Sequence, residues 1–199
     1  MRQTVFLMIV VSGLASTVTA SMLGGSRSFA AEPTTSAAKD GDLIQENAFK
    51  DPKSGIELHL PKGWVRKKGI DDTGFEAPAK DRIKAGGLAP NIVLKKDAAP
   101  GIKPSDVDAI IDGKRKQYAK LFSGYKDEAS DSSLPNIPGK GVGRIDFSFM
   151  VSDVLPMRAS QIWIVDKDQV YTITCMSLAE TYVGNAKIFG AVVKTVAVP

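Results

Sequence analysis

Few residues in this chain could do chemistry. His59 is the only histidine and Cys175 the only cysteine among 199 residues. A nucleophile needs a base beside it and a third group to orient that base, so a Cys–His pair is the first arrangement to weigh. His59 stands in Ser54–Trp64, SGIELHLPKGW, where Ile56, Leu58 and Leu60 alternate with Glu57 and His59. That is the period of a half-buried strand, with His59 on the face away from the core. Cys175 ends the stretch VYTITC and shares a face with Tyr171 and Ile173. Free cysteine is among the most buried residue types, so Cys175 reads as a small core side chain. The pair is thereby disfavoured and His59 reads as structural. A Ser–His–acid set stays open because serine is plentiful, but no G-x-S-x-G elbow supports it.

One histidine and one cysteine cannot build a zinc site of the usual kind. Asp71-Asp72 and Asp127-Glu128 carry the oxygens a hard cation such as calcium takes. Without a D-x-D-x-D-G loop they read as solvated turn acids, and no metal or cofactor is expected. Gly139-Lys140-Gly141-Val142-Gly143 has the glycines of a phosphate loop without its strand-before, helix-after context. It reads as a bend or bulge entering a strand. Lys114-Arg115-Lys116 reads as a solvated last turn of helix, with a weak contact for an acidic partner as the alternative. Trp64 and Trp163 are of the type that anchors interfaces, although core packing is the preferred reading for both. The candidate partner-binding residues are Trp64, Phe75, Lys114 and Arg115. The loops 75–90 and 129–141 are the natural places for an interface.

The elements that position these residues follow from periodicity. Residues 56–60 form a strand that Pro61-Lys62-Gly63 stops in a turn, after which Trp64 re-enters as an apolar anchor. Residues 73–76 read as a short strand, 81–90 as a loop, 91–95 as a strand and 97–103 as a loop. A helix starts at Ser105, where Ser105-Asp106-Val107-Asp108 matches a capping pattern. Its stripe is Val107, Ile110, Ile111, Tyr118, Leu121 and Phe122. Acids come early and bases late along it, matching the helix dipole, and Gly124 follows as a C-cap glycine. Residues 130–141 form a loop. Strands at 142–151, 157–165 and 169–176 make an antiparallel meander. A helix over 179–196, with the stripe Tyr182, Phe189, Val192, Val193 and Val196, closes the chain. Helices on an antiparallel sheet make an α+β sandwich.

The first thirty residues have a different character. Arg2 precedes the apolar run Val5–Val11, and no acid occurs before Glu32. This is the pattern of a secretory signal, with an apolar run shorter than the roughly 20 residues of a membrane span. Cleavage after Ala20 or Ala30 fits the small-x-small rule, and Ala30 is preferred; an uncleaved anchor is the lesser alternative. Residues 1–30 are therefore expected as a signal peptide, 31–47 as a flexible linker, and 48–198 as one domain in a periplasmic or secreted protein. Lys and Arg number 26 against 22 Asp and Glu. Cleavage after Ala30 removes Arg2 and Arg27 and lowers the excess to 24 against 22. So mild a charge gives nucleic acid no electrostatic footing.

Gly55-Ile56-Glu57-Leu58-His59-Leu60-Pro61-Lys62-Gly63-Trp64, Pro90-Asn91-Ile92-Val93 and Tyr171-Thr172-Ile173-Thr174, in this order, resemble the PsbP-like fold, with the DcrB-type bacterial envelope proteins as the nearest group. The likeness spans Phe49 to Val196. It implies one antiparallel sheet between helices (a PsbP-like αβα sandwich) and a non-enzymatic accessory role. The partner it implies is a protein of the envelope, and a membrane-associated one stays open. It carries over no catalytic residue and no cofactor, and it leaves the oligomeric state unspecified. Two other readings stand beside it: a small-molecule or lipid carrier with an apolar cavity beneath Trp64, and a hydrolase using His59.

Overall fold

The computed structural model describes residues 40–66, 73–77, 89–130 and 133–199. The residues read as a signal peptide, both expected cleavage sites, Asp71-Asp72 and most of the loop 75–90 lie outside the described residues. The elements are α1 (Asp40–Leu43), β1 (Ile44–Lys50), β2 (Glu57–Pro61), β3 (Val65–Arg66), β4 (Thr73–Glu76), β5 (Asn91–Ala98), α2 (Val107–Leu121), β6 (Lys126–Glu128), β7 (Gly141–Val151), β8 (Leu155–Asp166), β9 (Gln169–Leu178) and α3 (Ala179–Val193).

Seven strands form one antiparallel sheet in the order β3-β4-β5-β9-β8-β7-β6. The long strands β7, β8 and β9 are the expected meander, and the two-residue β3 and three-residue β6 form the edges. Short edge strands leave little unpaired backbone to recruit another chain. One face carries α2, which packs on β7 and β8. Its side chains meet an aromatic cluster in which Tyr118 and Phe122 contact Phe147 and Phe149. The other face carries α3 and the separate hairpin β1–β2, and the largest core lies beneath them. There Ile92, Leu94, Ile162, Ile164, Ile173 and Cys175 pack against Ile56, Leu58, Phe189 and Val192. This is the α+β sandwich expected, helices on both faces of an antiparallel sheet.

Three readings change. Residues 40–47, read as linker, form α1 and the first half of β1, because Ile44 and Phe49 pack on the core. These two apolar residues, with a register shift in β1 between them, show no period. The helix read from Ser105 begins at Val107, after a 3-10 turn over Pro104–Asp106. Asp106, not Ser105, closes that turn, accepting from the Lys103 N–H at 2.9 Å. Leu121 is exposed although it lies on the expected stripe.

The glycine run enters β7 through a bend, with Gly139 at a φ of +75°, and makes no bulge. Gly141 to Val151 pairs without a break against Val165 to Leu155. A Cβ on Gly141 would lie 1.9 Å from the Pro104 carbonyl oxygen, and one on Gly143 would lie 2.3 Å from Ile111 Cδ1. These glycines let the start of α2 press onto the sheet, the other reason for glycine in a strand.

Candidate functional site

Local hydrogen bonding decides the fate of the chemistry-bearing residues. The His59 ring is half-buried in β2, and its Nδ1 bonds the Gln45 carbonyl oxygen at 2.8 Å. Its backbone N–H donates to Thr195 Oγ1 at 2.9 Å. His59 therefore ties β2 to β1 and to the chain after α3. Cys175 is buried at the centre of the sheet, where desolvation pushes its thiol up to about 12. It stays a protonated core side chain, as read. The acids of Asp127-Glu128 lie in β6, not a turn. Asp127 accepts from the Tyr125 hydroxyl and Glu128 from the Ser148 hydroxyl, both at 2.7 Å. No cluster of metal-ligating side chains occurs among the described residues.

The four candidate partner-binding residues divide into two pairs. Trp64 is only 9% exposed and meets Phe189 edge-on, and Phe75, 2% exposed, meets Phe49 edge-on. Both are core, because β3 and β4 turn these rings inward over the hairpin, and neither offers a surface. Lys114 and Arg115 lie on α2, which buries only Ile111 and Tyr118 among its 15 residues. Lys114 is half-buried and bonds Gln117 Oε1; burial, then the charge of Lys95, lowers its pKa. Arg115 is exposed, 3.4 Å from Asp112 and 3.5 Å from Asp127. With Lys116 and Lys120, also exposed, α2 presents a basic outer face.

A cavity beneath Trp64 is what would favour the carrier reading; a pocket of about 370 Å³ lies elsewhere, between α3, α1 and the β7–β8 side of the sheet. Its polar lining includes Arg144, Asp146, Arg158, Tyr182, Lys187 and Lys194. Arg144 and Asp146 are i and i+2 on β7 and so share a face. They form a two-pronged pair, Nε to Oδ2 and Nη2 to Oδ1 both 2.7 Å, with side chains 11% and 2% exposed. Burying such a pair costs desolvation that only good geometry offsets. The Arg158 guanidinium lies 4.6 Å from the centre of the Tyr182 ring, and its Nη2 donates to the Ala129 carbonyl at 3.3 Å. Burial, with Asp146 and Cys175 nearby, raises the Tyr182 phenol so that it stays neutral. At the rim Lys194 pairs with Asp40 at 2.7 Å. In the same face of the sheet, Ser160 pairs in register with Asp146 on one side and Cys175 on the other, and its buried hydroxyl has no hydrogen-bond partner among the described residues.

Sequence reasoning missed this pocket. Arg144 and Asp146 alternate with the apolar row Ile145, Phe147 and Phe149, which marks them as the outward face; α3 then covers that face. The available signals were the opposite charges at i and i+2 and the spacing of Val183, Lys187 and Gly190 on α3 with Lys194 at its C-cap, one side of a helix.

No family model matches the chain, and no curated protein matches it. Solved structures do. LpqN of Mycobacterium tuberculosis, described as involved in cell envelope biogenesis, aligns with a TM-score of 0.53 at 16% identity, covering 78% of this chain and 92% of that one. PA94 of Pseudomonas aeruginosa, a protein of unknown function, aligns with a TM-score of 0.52 at 17% identity, covering 77% and 96%. The solution structure of a cyanobacterial PsbP from Synechocystis aligns with a TM-score of 0.48 at 15% identity, covering 77% and 92%. The chain shares its fold with LpqN and PA94. The antiparallel sheet between helices implied by the PsbP-like resemblance is the architecture observed.

Proposed function

We infer that this chain is an exported, non-catalytic accessory protein of the cell envelope, of the DcrB type, that works by binding a protein partner. The observation that carries the reading is the basic outer face of α2, where Arg115, Lys116 and Lys120 are exposed on a helix that buries only Ile111 and Tyr118; His59, with Nδ1 on the Gln45 carbonyl, fits a tie between β1 and β2. Support comes from the N-terminal signal pattern and from the shared fold of LpqN, a protein described as involved in cell envelope biogenesis. The basic outer face of α2 is the surface proposed for an acidic partner, with Lys114 and Arg115 at its middle.

The test is cross-linking in envelope extract with the parent chain and with Lys114→Glu/Arg115→Glu. A protein captured by the parent and by His59→Gln, but lost from the α2 variant, is the result expected. Equal capture by both would remove α2 from the reading, and an activity abolished by His59→Gln in a folded chain would overturn the non-catalytic role.

A second reading, a small-molecule carrier, is favoured by the pocket against α3. Its volume of about 370 Å³ falls within the range of ligand sites.

A further inference from the structure

We propose that α2 binds the α2 of a second copy of this chain, the two helices lying antiparallel about a two-fold axis. The proposal rests on the reading of α2 as a binding face and names its acidic partner: the first half of the same helix in another molecule. Charge order is the first argument. Asp108, Asp112, Lys116 and Lys120 are spaced by four and all exposed, so they form one ridge along the outer face of α2. Its signs run minus, minus, plus, plus. Laid antiparallel on a copy of itself, that ridge matches at every position. Asp108 meets Lys120 of the second copy, Asp112 meets Lys116, and the axis repeats both contacts. A single register satisfies every pair, because residues 108 and 120, like 112 and 116, lie evenly about position 114.

The folded chain by itself does not account for this order. A helix dipole rewards charges in the first and last turns only, which covers Asp108 and Lys120 but not Asp112 and Lys116, set further inside α2. Like charges four apart repel along a helix, so Asp108 with Asp112 and Lys116 with Lys120 cost stability in a lone molecule. Arg115 lies 3.4 Å from Asp112 and 3.5 Å from Asp127 on β6, so it is turned to the side, off the ridge. Shape is the second argument. Beside the ridge, Ala109 and Gly113 are exposed and leave a shallow groove. Glycine inside a helix is destabilising, and no described atom lies within 4 Å of the Cβ that Gly113 lacks. Nothing among the described residues calls for glycine there, whereas a helix arriving from outside does, since the ridge of one helix seats in the groove of the other. One helix pair buries less than the roughly 1,200 Å² of a standard interface, so the dimer is weak and forms as concentration rises.

Sedimentation equilibrium of the purified chain, from about 10 µM to about 1 mM, tests this beside two charge-reversed variants, Asp108→Lys/Asp112→Lys and Lys116→Asp/Lys120→Asp. The expected result is an average mass that rises from one chain toward two, and rises less at high salt. Each variant alone should stay at the mass of one chain, because like signs then meet across the axis. Mixed in equal amounts, the two should pair at least as tightly as the parent, which a misfolded variant could not do. Gly113→Leu should also lose association while its melting temperature does not fall, since leucine is the better helix former. A parent that stays at one chain's mass at about 1 mM, variants (Gly113→Leu included) that associate as the parent does, or a mixture that does not pair would overturn the proposal. A monomeric parent that still captures an envelope protein through α2 would overturn it too, while leaving the partner reading intact. Dimerisation without any captured protein would uphold it and remove a separate partner.

Discussion

The Tyr118 hydroxyl donates a 2.5 Å hydrogen bond to Gln161 Oε1, joining α2 to β8, the middle strand of the meander, across 43 residues of sequence. Gln161 Nε2 in turn donates to Thr174 Oγ1 at 2.8 Å on β9. Burial pushes the Tyr118 phenol up to about 12 despite the Gln161 bond, so it remains a donor throughout the working pH range. Tyr118→Phe keeps the ring contacts with Phe122 and Phe147 and strands the buried Gln161 oxygen. We expect a loss of about 1–2 kcal/mol in urea unfolding, with unchanged slope. A midpoint equal to the parent's would show that the bond contributes nothing net.

Asp51 is 1% exposed between β1 and β2. Its carboxylate accepts from Ser54 N–H at 2.8 Å, Ser54 Oγ at 2.5 Å and Thr73 Oγ1 at 2.6 Å. Burial alone would raise its pKa, but these hydrogen bonds outweigh it and hold the carboxyl below its ordinary value. A lowered folded-state pKa means that the unfolded chain takes up the proton first as pH falls. The stabilisation is fully present above the unfolded value of about 3.9 and drains away as pH drops through the folded one. Asp51→Asn should therefore be less stable at neutral pH and lose less stability than the parent between neutrality and pH 3. Parallel stability–pH curves for the two chains would exclude this linkage.

Two neighbouring glycines should fail for different reasons. Gly141→Ala places a methyl against the Pro104 carbonyl, where only backbone movement can relieve it; overpacking of this kind costs about 1–3 kcal/mol or more. Gly139 has open space around it but a φ of +75°, so Gly139→Ala should cost about 1–2 kcal/mol through backbone strain alone. Thermal melting ranks the two. If Gly141→Ala melts with the parent, α2 does not press on β7 as closely as the structure shows.

Cys175 should resist iodoacetamide at pH 8 in the folded chain and react at once in denaturant, because the thiolate is the reacting form and burial keeps the thiol protonated. Rapid modification under native conditions would place Cys175 at a surface and reopen its pairing with a base.

Period two and period 3.6 are properties of neighbouring residues, so the sequence alone determined most elements and the fold class. The meander β7–β9, the two long helices and the inward rows of Ile56, Leu58 and Leu60 and of Tyr171, Ile173 and Cys175 were all legible in it. The place of His59 opposite Ile56, Leu58 and Leu60 was legible for the same reason, though not its partner Gln45, which depends on how β1 pairs with β2. The tertiary structure decided what long-range contact decides. Ile44 and Phe49 become a strand only because a core lies beneath them. Trp64 and Phe75 face inward because the hairpin closes over them. Gly141 and Gly143 are explained by a helix start 34 or more residues earlier in the chain. Arg144 and Asp146 alternate with an apolar row as surface residues do, and they become the wall of a pocket because α3, from the far end of the chain, packs over that face of the sheet. Alternation tells which residues share a face; it does not tell what will cover it.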